Sequence, residues 1–62
     1  MELKQKRAER NLTAKEVAVL CGLSEGGYSL IENEKRKPSV KTAKRIAEVL
    51  GFDWTMFYEE AK

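Results

Sequence analysis

The 62-residue chain contains no histidine and only one cysteine, Cys21. A disulfide within the chain is therefore impossible, and a zinc site made of histidine and cysteine is excluded as well. Cys21 has no histidine to deprotonate it, so we expect a small core residue and not a nucleophile. The remaining carboxylates and lysines form no recognisable catalytic pattern. The sequence predicts a protein that is not an enzyme and that holds neither a cofactor nor a metal.

Long apolar runs are also missing. Charged residues make up 35% of the chain and hydrophobic residues 42%, a balance typical of a folded globular protein. The first eleven residues, MELKQKRAERN, are too charged for a secretion signal, and no apolar stretch approaches the length of a membrane span. We therefore predict a single domain over residues 1–62 that lies in the cytoplasm at the nucleoid and makes no membrane contact.

The start of the chain predicts two helices. Helix-forming residues dominate positions 2–10, and Asn11 is suited to end that helix. Thr13 is followed three residues later by Glu16, the capping-box pattern that begins a helix. Gly22 then supplies the left-handed residue that ends this second helix.

The rest of the chain predicts further helices. Ser24 is an N-cap for a third helix that runs from Glu25 to about Asn33, and Pro38 prevents its continuation. Ser39 caps a fourth helix over residues 40–50, whose apolar side chains recur on one face. A last short helix, with Asp53 as its cap, carries three aromatic residues: Trp54, Phe57 and Tyr58. The fold class is therefore all-α.

Helices 2 and 3, over about residues 13–33, have the arrangement of a helix-turn-helix. Ala18 is small enough to let the two helices cross closely, and Gly22 permits the sharp turn between them. The second helix of such a pair protrudes and lies in the major groove of DNA.

Basic residues cluster directly after this motif. Residues 35–45 contain six of them and no acidic residue: Lys35, Arg36, Lys37, Lys41, Lys44 and Arg45. Such a block suits contact with DNA phosphates, and it equally suits a solvated basic face. Charge alone does not choose between the two.

Several short motifs together resemble the lambda-repressor and Cro-like helix-turn-helix family, also called the xenobiotic-response-element type. They are LT at 12–13, A…GLS at 18–24, S-x-IEN at 29–33, KRKPS at 35–39 and IAEVLG at 46–51. The resemblance implies a compact five-helix lambda-repressor-like domain. It also implies double-stranded DNA as the ligand, a homodimer on a two-fold site, and the role of a small bacterial or prophage repressor.

The resemblance assigns roles to individual positions. The base-facing positions of the recognition helix, residues 24–33, are Glu25, Gly26, Gly27, Ser29 and Leu30. The phosphate-contacting positions are Ser24, Tyr28, Asn33, Lys35, Arg36 and Lys37. Arg7 and Glu32 occupy a pair that forms a structural salt bridge in related repressors; the alternative is two unrelated surface charges. For Tyr28, a packed core aromatic is as consistent with the sequence as a phosphate contact.

The recognition helix departs from what base readout favours, which is Arg, Lys, Asn or Gln in the groove. Only Glu25 and Ser29 carry groups able to hydrogen-bond a base edge, and Leu30 is suited to a thymine methyl group. The two glycines either allow the backbone to approach DNA closely or simply loosen the helix. A second hypothesis is therefore a protein-interaction module, anti-repressor or antitoxin-like, that keeps the fold with reduced base readout.

Two further expectations concern unusual residues. The family usually has glycine at position 34, where a left-handed conformation would cost glutamate about 1 kcal/mol, so we predict that the end of helix 3 is shifted. Val19 and Leu20, with the C-terminal aromatic residues, form either an association surface or extra burial under the C-terminal segment. We favour burial for Leu20 and Trp54.

Overall fold

The computed structural model describes residues 2–58, so Met1 and residues 59–62 of the predicted domain lie outside it. Four α-helices follow one another along the chain: α1 Leu3–Glu9, α2 Ala14–Cys21, α3 Glu25–Glu32 and α4 Val40–Leu50. A 3₁₀ helix, Trp54–Tyr58, comes last. No strand occurs in this part of the chain, which confirms the all-α class. The helix-turn-helix consists of α2 and α3, as predicted.

The fifth element is a 3₁₀ helix and not the α-helix that the five-helix expectation implies. The Asp53 carboxylate accepts hydrogen bonds from the backbone N–H and the hydroxyl of Thr55, at 3.0 and 2.8 Å. The N–H of Met56 donates to the Asp53 carbonyl at 3.0 Å. Bonds that span only two and three residues wind the backbone more tightly than an α-helix.

Three predicted helix starts are confirmed. Thr13 and Glu16 form the full capping box: the Glu16 N–H donates to the Thr13 hydroxyl at 3.1 Å, and the Thr13 N–H donates to the Glu16 carboxylate at 2.8 Å. Ser24 accepts from the N–H of Gly27 at 2.9 Å, and Ser39 accepts from the N–H of Thr42 at 3.2 Å. Each cap pairs a backbone donor that the helix itself leaves unsatisfied.

The core lies where all four helices meet. Its largest side chains without exposed surface are Tyr28, Ile46 and Val17. Cys21 is 3% exposed, which confirms it as a core residue, and burial raises the pKa of its thiol. Ala18 is 1% exposed in the core, so a larger side chain there would have to displace its neighbours.

All four α-helices end in the same way, with one residue in the left-handed conformation. These residues are Asn11, Gly22, Glu34 and Gly51, with φ values of 57°, 72°, 61° and 77°. In each case the next N–H donates back across the last turn of the helix, as the Lys35 N–H does to the Leu30 carbonyl at 2.8 Å. This is the bond that characterises the Schellman motif.

The predicted shift of the end of α3 is therefore wrong. Glu34 adopts the left-handed conformation itself, while Asn33 has φ −88°. Both bonds of the motif are present, since the Glu34 N–H also donates to the Ile31 carbonyl at 3.0 Å. The hydrogen bonds of an intact cap outweigh the steric cost of about 1 kcal/mol that a side chain meets at positive φ.

The expected burial of Leu20 is also wrong. Val19 and Leu20 are 68% and 58% exposed on the outer face of α2, whereas Trp54 is half-buried. The 3₁₀ helix packs against α4 and leaves the outer face of α2 uncovered within residues 2–58. Every helix in this range is too short or too polar to cross a membrane.

Candidate nucleic-acid interface

The predicted recognition helix, α3, turns one face to the core and the other outward. Tyr28 and Ile31 are buried on the inner face. The predicted base-facing residues lie on the rest of the helix surface: Glu25, Gly26 and Leu30 are exposed, and Gly27 and Ser29 are half-buried. The outward face is thus accessible to a partner. It offers few side chains for contact, because two of its five positions are glycine.

Tyr28 does not belong to this outward face. It has no exposed surface, so its hydroxyl cannot contact a phosphate, and the packed core aromatic is the correct alternative. Burial raises the pKa of Tyr28 well above its usual value. Its hydroxyl oxygen lies among the charged groups of Arg7 and Glu32, although no hydrogen bond of good geometry joins it to another of residues 2–58. Tyr28 therefore holds α3 chiefly by packing.

Arg7 and Glu32 join α1 to the end of α3. The Nε of Arg7 donates to one carboxylate oxygen of Glu32 and a terminal nitrogen donates to the other, both at 3.0 Å. The remaining terminal nitrogen donates to the Leu12 carbonyl at 3.0 Å. The two side chains are 15% and 11% exposed. This planar, two-bond geometry is the strongest form of an ion pair between side chains.

The pair also affects titration. Burial by itself would raise the pKa of Glu32, but the hydrogen bonds and charge of Arg7 outweigh burial and hold that pKa below its usual value. The hydrogen bonds that Arg7 donates to the Glu32 carboxylate raise the pKa of Arg7 in turn. Glu32 is therefore ionised at neutral pH, and α3 is anchored to α1 by a permanent pair of charges.

The N-terminal turn of α3 is unusually open. A methyl group at Gly26 would meet no atom within 4 Å, whereas one at Gly27 would lie 3.0 Å from the Ser24 hydroxyl. The same position at Gly27 is 3.9 Å from a terminal nitrogen of Arg36. Arg36, from the segment after α3, thus brings a positive charge beside the glycine-rich start of the recognition helix.

The positions predicted to contact phosphates, other than Tyr28, lie on the surface. Ser24, Asn33, Lys35, Arg36 and Lys37 are all exposed. Ser24 is engaged as the N-cap of α3, and the Asn33 amide donates to the Ser29 hydroxyl at 3.2 Å. Lys35 and Arg36 directly follow the left-handed residue that ends α3, so their backbone position is fixed by the Schellman bonds.

Three of the six basic residues in the 35–45 block lie against other parts of the molecule. The ammonium groups of Lys37 and Lys44 lie 6.0 and 5.2 Å from the ring centres of Tyr58 and Trp54. A terminal nitrogen of Arg45 lies 3.3 Å from the position that a Cβ of Gly22 would take, at the end of α2. There its charge complements the negative end of the helix. Lys35 and Arg36 are the members of the block that adjoin α3.

The aromatic contacts of Lys37 and Lys44 were missed from the sequence. Trp54 and Tyr58 are four residues apart, and their rings meet edge to face with centres 5.9 Å apart. The Tyr58 hydroxyl donates to the Pro38 carbonyl at 2.7 Å. The pair of aromatic residues was the one signal for this arrangement in the sequence, because the contacts join residues 10 to 21 positions apart.

The chain is similar to known proteins along nearly its whole length. The family described as Helix-turn-helix matches residues 3–57. An uncharacterized HTH-type transcriptional regulator of Bacillus subtilis, YqaF, is 48% identical over 58 residues, which cover 94% of this chain and 76% of that protein.

Two further relatives match less of their own length. The HTH-type transcriptional repressor RghR of Bacillus subtilis is 44% identical over 79% of this chain and 37% of that protein. The ImmF control region 10 kDa protein of Bacillus phage phi105 is 41% identical over 82% of this chain and 57% of that protein.

Proposed function

Because the chain belongs to the helix-turn-helix family, we propose that it regulates transcription by binding a specific double-stranded DNA site with α3 in the major groove. Two of the similar proteins are named as an HTH-type transcriptional regulator and an HTH-type transcriptional repressor, and the third as a phage control-region protein. The observation that carries the proposed docking is the position of the outward face of α3, which runs directly into the exposed cations Lys35 and Arg36. A protruding helix flanked by cations matches the groove and the phosphates beside it.

Within this arrangement, side chains divide into two kinds of contact. Glu25 accepts from a cytosine amino group, Ser29 hydrogen-bonds a base edge and Leu30 contacts a thymine methyl group. Phosphates are held by the exposed residues at both ends of α3: Ser24, Asn33, Lys35, Arg36 and Lys37. Phosphate contacts set position and affinity, while the few base contacts set sequence preference.

The salt dependence of DNA binding distinguishes phosphate contacts from contacts with the bases. The apparent binding constant of the wild type should fall as salt rises, and Arg36→Gln should reduce the slope of log K against log salt by about 0.9. Lys6→Gln is the matched control, because the Lys6 ammonium lies 5.2 Å from the Phe52 ring centre, away from α3. Binding that is insensitive to salt, or an equal change in slope for both variants, would contradict the proposed phosphate contacts.

A protein-interaction module is the second candidate. Exposed apolar surface favours it: Val19 and Leu20 on α2 are 68% and 58% exposed, and Leu30 on α3 is 42% exposed. Apolar residues suit a protein surface better than a phosphate backbone. Selection from a random pool of DNA duplexes decides between the candidates, since a tight consensus supports the regulator and its absence supports the interaction module.

We further propose that the protein acts as a homodimer at the nucleoid. A two-fold dimer places two copies of α3 in successive major grooves, about one turn of DNA apart. Sedimentation of the protein with its selected duplex measures the stoichiometry, and nuclease protection measures the spacing of the half-sites. One copy per duplex with a non-repeated consensus would contradict the dimer.

A further inference from the structure

The C-terminal 3₁₀ helix is attached to the segment that carries the phosphate-contacting cations. Its last residue, Tyr58, donates a hydrogen bond from its hydroxyl to the Pro38 carbonyl at 2.7 Å. This carbonyl directly precedes Ser39, the N-cap of α4, so it lies where the basic loop meets a rigid helix. We define the basic loop as residues 34–38.

The ring of Tyr58 contributes a second attachment. The Lys37 ammonium lies 6.0 Å from its centre, within the range of a cation–π interaction. Trp54 supports the ring edge to face from within the same 3₁₀ helix, and the Lys44 ammonium of α4 lies 5.2 Å from the Trp54 ring centre. Tyr58 is thus held in place by its neighbours while it holds the loop.

The two ends of the basic loop are fixed by different means. At the α3 end, the Lys35 N–H bonds back to the Leu30 carbonyl at 2.8 Å. At the α4 end, Pro38 is buried and its carbonyl accepts from Tyr58. A loop that is fixed at both ends loses little conformational freedom when its cations bind phosphates, and lower ordering cost means higher affinity.

We propose that Tyr58 is a positioning residue for DNA binding, which holds the basic loop in the conformation that presents its cations beside α3. The inference rests on the proposed function for its consequence in affinity, and on the hydrogen bond to Pro38 for its effect on the loop. Tyr58 itself contacts no DNA. The C-terminal 3₁₀ helix therefore belongs to the DNA-binding apparatus even though it lies outside the helix-turn-helix.

The experiment compares Tyr58→Phe, which removes the hydroxyl and keeps the ring, with Met56→Leu, a volume-conserving change in the same 3₁₀ helix. Met56→Leu keeps the Tyr58 hydroxyl and its bond to the Pro38 carbonyl, so the loop and DNA affinity should stay at their wild-type values. Tyr58→Phe should bind the selected duplex about three- to tenfold more weakly, the range expected for one net hydrogen bond. The slope of log K against log salt should stay at the wild-type value, because no phosphate contact is lost.

Backbone ¹⁵N relaxation of the free protein supplies the readout that is independent of DNA. Tyr58→Phe should lower the order parameters of Lys35, Arg36 and Lys37 and leave those of α2 unchanged. Wild-type order parameters in the loop, or a salt slope that falls in Tyr58→Phe, would overturn the positioning role. If the wild type fails to bind any duplex, the proposed function is wrong, and lower loop order parameters in Tyr58→Phe alone still show that Tyr58 orders the loop.

Discussion

The two helices of the motif have the same length and very different local stability. α2 begins with a complete capping box and has no glycine among its eight residues, Ala14–Cys21. α3 begins with a single cap from Ser24 and has glycine at positions 26 and 27 in its first turn. Each of those glycines costs about 1 kcal/mol relative to alanine.

The C-terminal ends of the two helices also differ, and α2 again has the more favourable residues. α2 ends at Gly22, which adopts φ 72° without steric cost, whereas α3 ends with Glu34 at φ 61°. After α2 the chain continues into Leu23, which packs against the core, but after Glu34 it continues into exposed Lys35. An apolar residue at this position usually strengthens a Schellman cap, and α3 lacks it.

The difference shows that α3 is ordered mainly by the rest of the protein. Tyr28 and Ile31 bury its inner face, and the Arg7–Glu32 pair ties its last turn to α1. Sequence features that weaken a helix locally collect at sites that serve a partner, where other residues compensate for them. The proposed DNA-reading helix is therefore weak in its local sequence and strong in its tertiary contacts.

Removing the Arg7–Glu32 pair should have the largest effect, because this pair is one of the tertiary contacts that order α3. Arg7→Ala leaves the Glu32 carboxylate partly buried without its partner and also frees the Leu12 carbonyl. We expect a loss of about 2–3 kcal/mol in the free energy of unfolding, measured by urea titration.

Two further variants define the origin of that loss. Arg7→Lys keeps the charge but not the two-bond geometry, so its loss should be intermediate. Lys15→Ala, on the exposed surface of α2, should stay within about 0.5 kcal/mol of the wild type. A similarly small change in Arg7→Ala would show that α3 does not depend on the pair.

Acid weakens the same pair without mutation. The pKa of Glu32 lies below its usual value of 4.5 in the folded protein, so between the two values the unfolded chain binds more protons. The stabilisation is complete above the usual value and is lost as the pH falls through the folded-state pKa. Hydrogen exchange on acidification should show α3 losing protection before α2. Glu32→Gln should remove that order, and an unchanged order in this variant would assign the effect to another carboxyl group.

Gly22→Ala should weaken the C-terminal end of α2, where glycine suits the left-handed conformation. A Cβ at φ 72° is strained, and it would lie 3.3 Å from Arg45, whose flexible end is able to move. The expected loss is about 1–2 kcal/mol in urea unfolding. Gly22→Asn is the matched control and should lose less, because asparagine tolerates the left-handed region. Equal losses for the two variants would point to crowding and not to backbone strain.

Glu34→Gly should strengthen α3 at the corresponding end. Glycine removes the steric cost at φ 61°, so we expect a gain of about 1 kcal/mol relative to Glu34→Ala, which keeps that cost. Comparison with the alanine variant cancels whatever the glutamate side chain itself contributes. Thermal unfolding of both variants measures the difference. Equal stability would mean that the end of α3 relaxes when residue 34 is changed.

Features whose cause lies within a few residues are predictable from the sequence. The Thr13–Glu16 box, the Ser24 cap and the Gly22 ending are local arrangements, and each was found from residue type and spacing. The two-bond pairing of Arg7 with Glu32 joins residues 25 positions apart, and only the family resemblance indicated it.

The failures have a different physical origin. Tyr28 fits either a groove or a core, and what decides is the packing that α1 and α4 provide around it. The conformation of Glu34 depends on two cap bonds whose gain exceeds a local cost. The contact of Tyr58 with Pro38 spans 20 residues and leaves no periodic signal in the sequence. In all three cases the outcome depends on the energy of contacts formed in the folded structure, which residue type and spacing do not reveal.

The smallest change in stability is expected from alanine substitutions at Gly26 and Gly27, and these variants test the role of the two glycines in DNA binding. Gly26→Ala adds a methyl group in open space on an exposed helix, so stability should rise by about 0.5–1 kcal/mol. Gly27→Ala should gain less, because its methyl group would lie 3.0 Å from the Ser24 hydroxyl that caps α3. If the bare surface at Gly26 lets the backbone approach DNA, Gly26→Ala will fold better and bind the selected duplex more weakly. If the glycines merely loosen α3, the same variant will improve both, since a preordered helix pays less to bind.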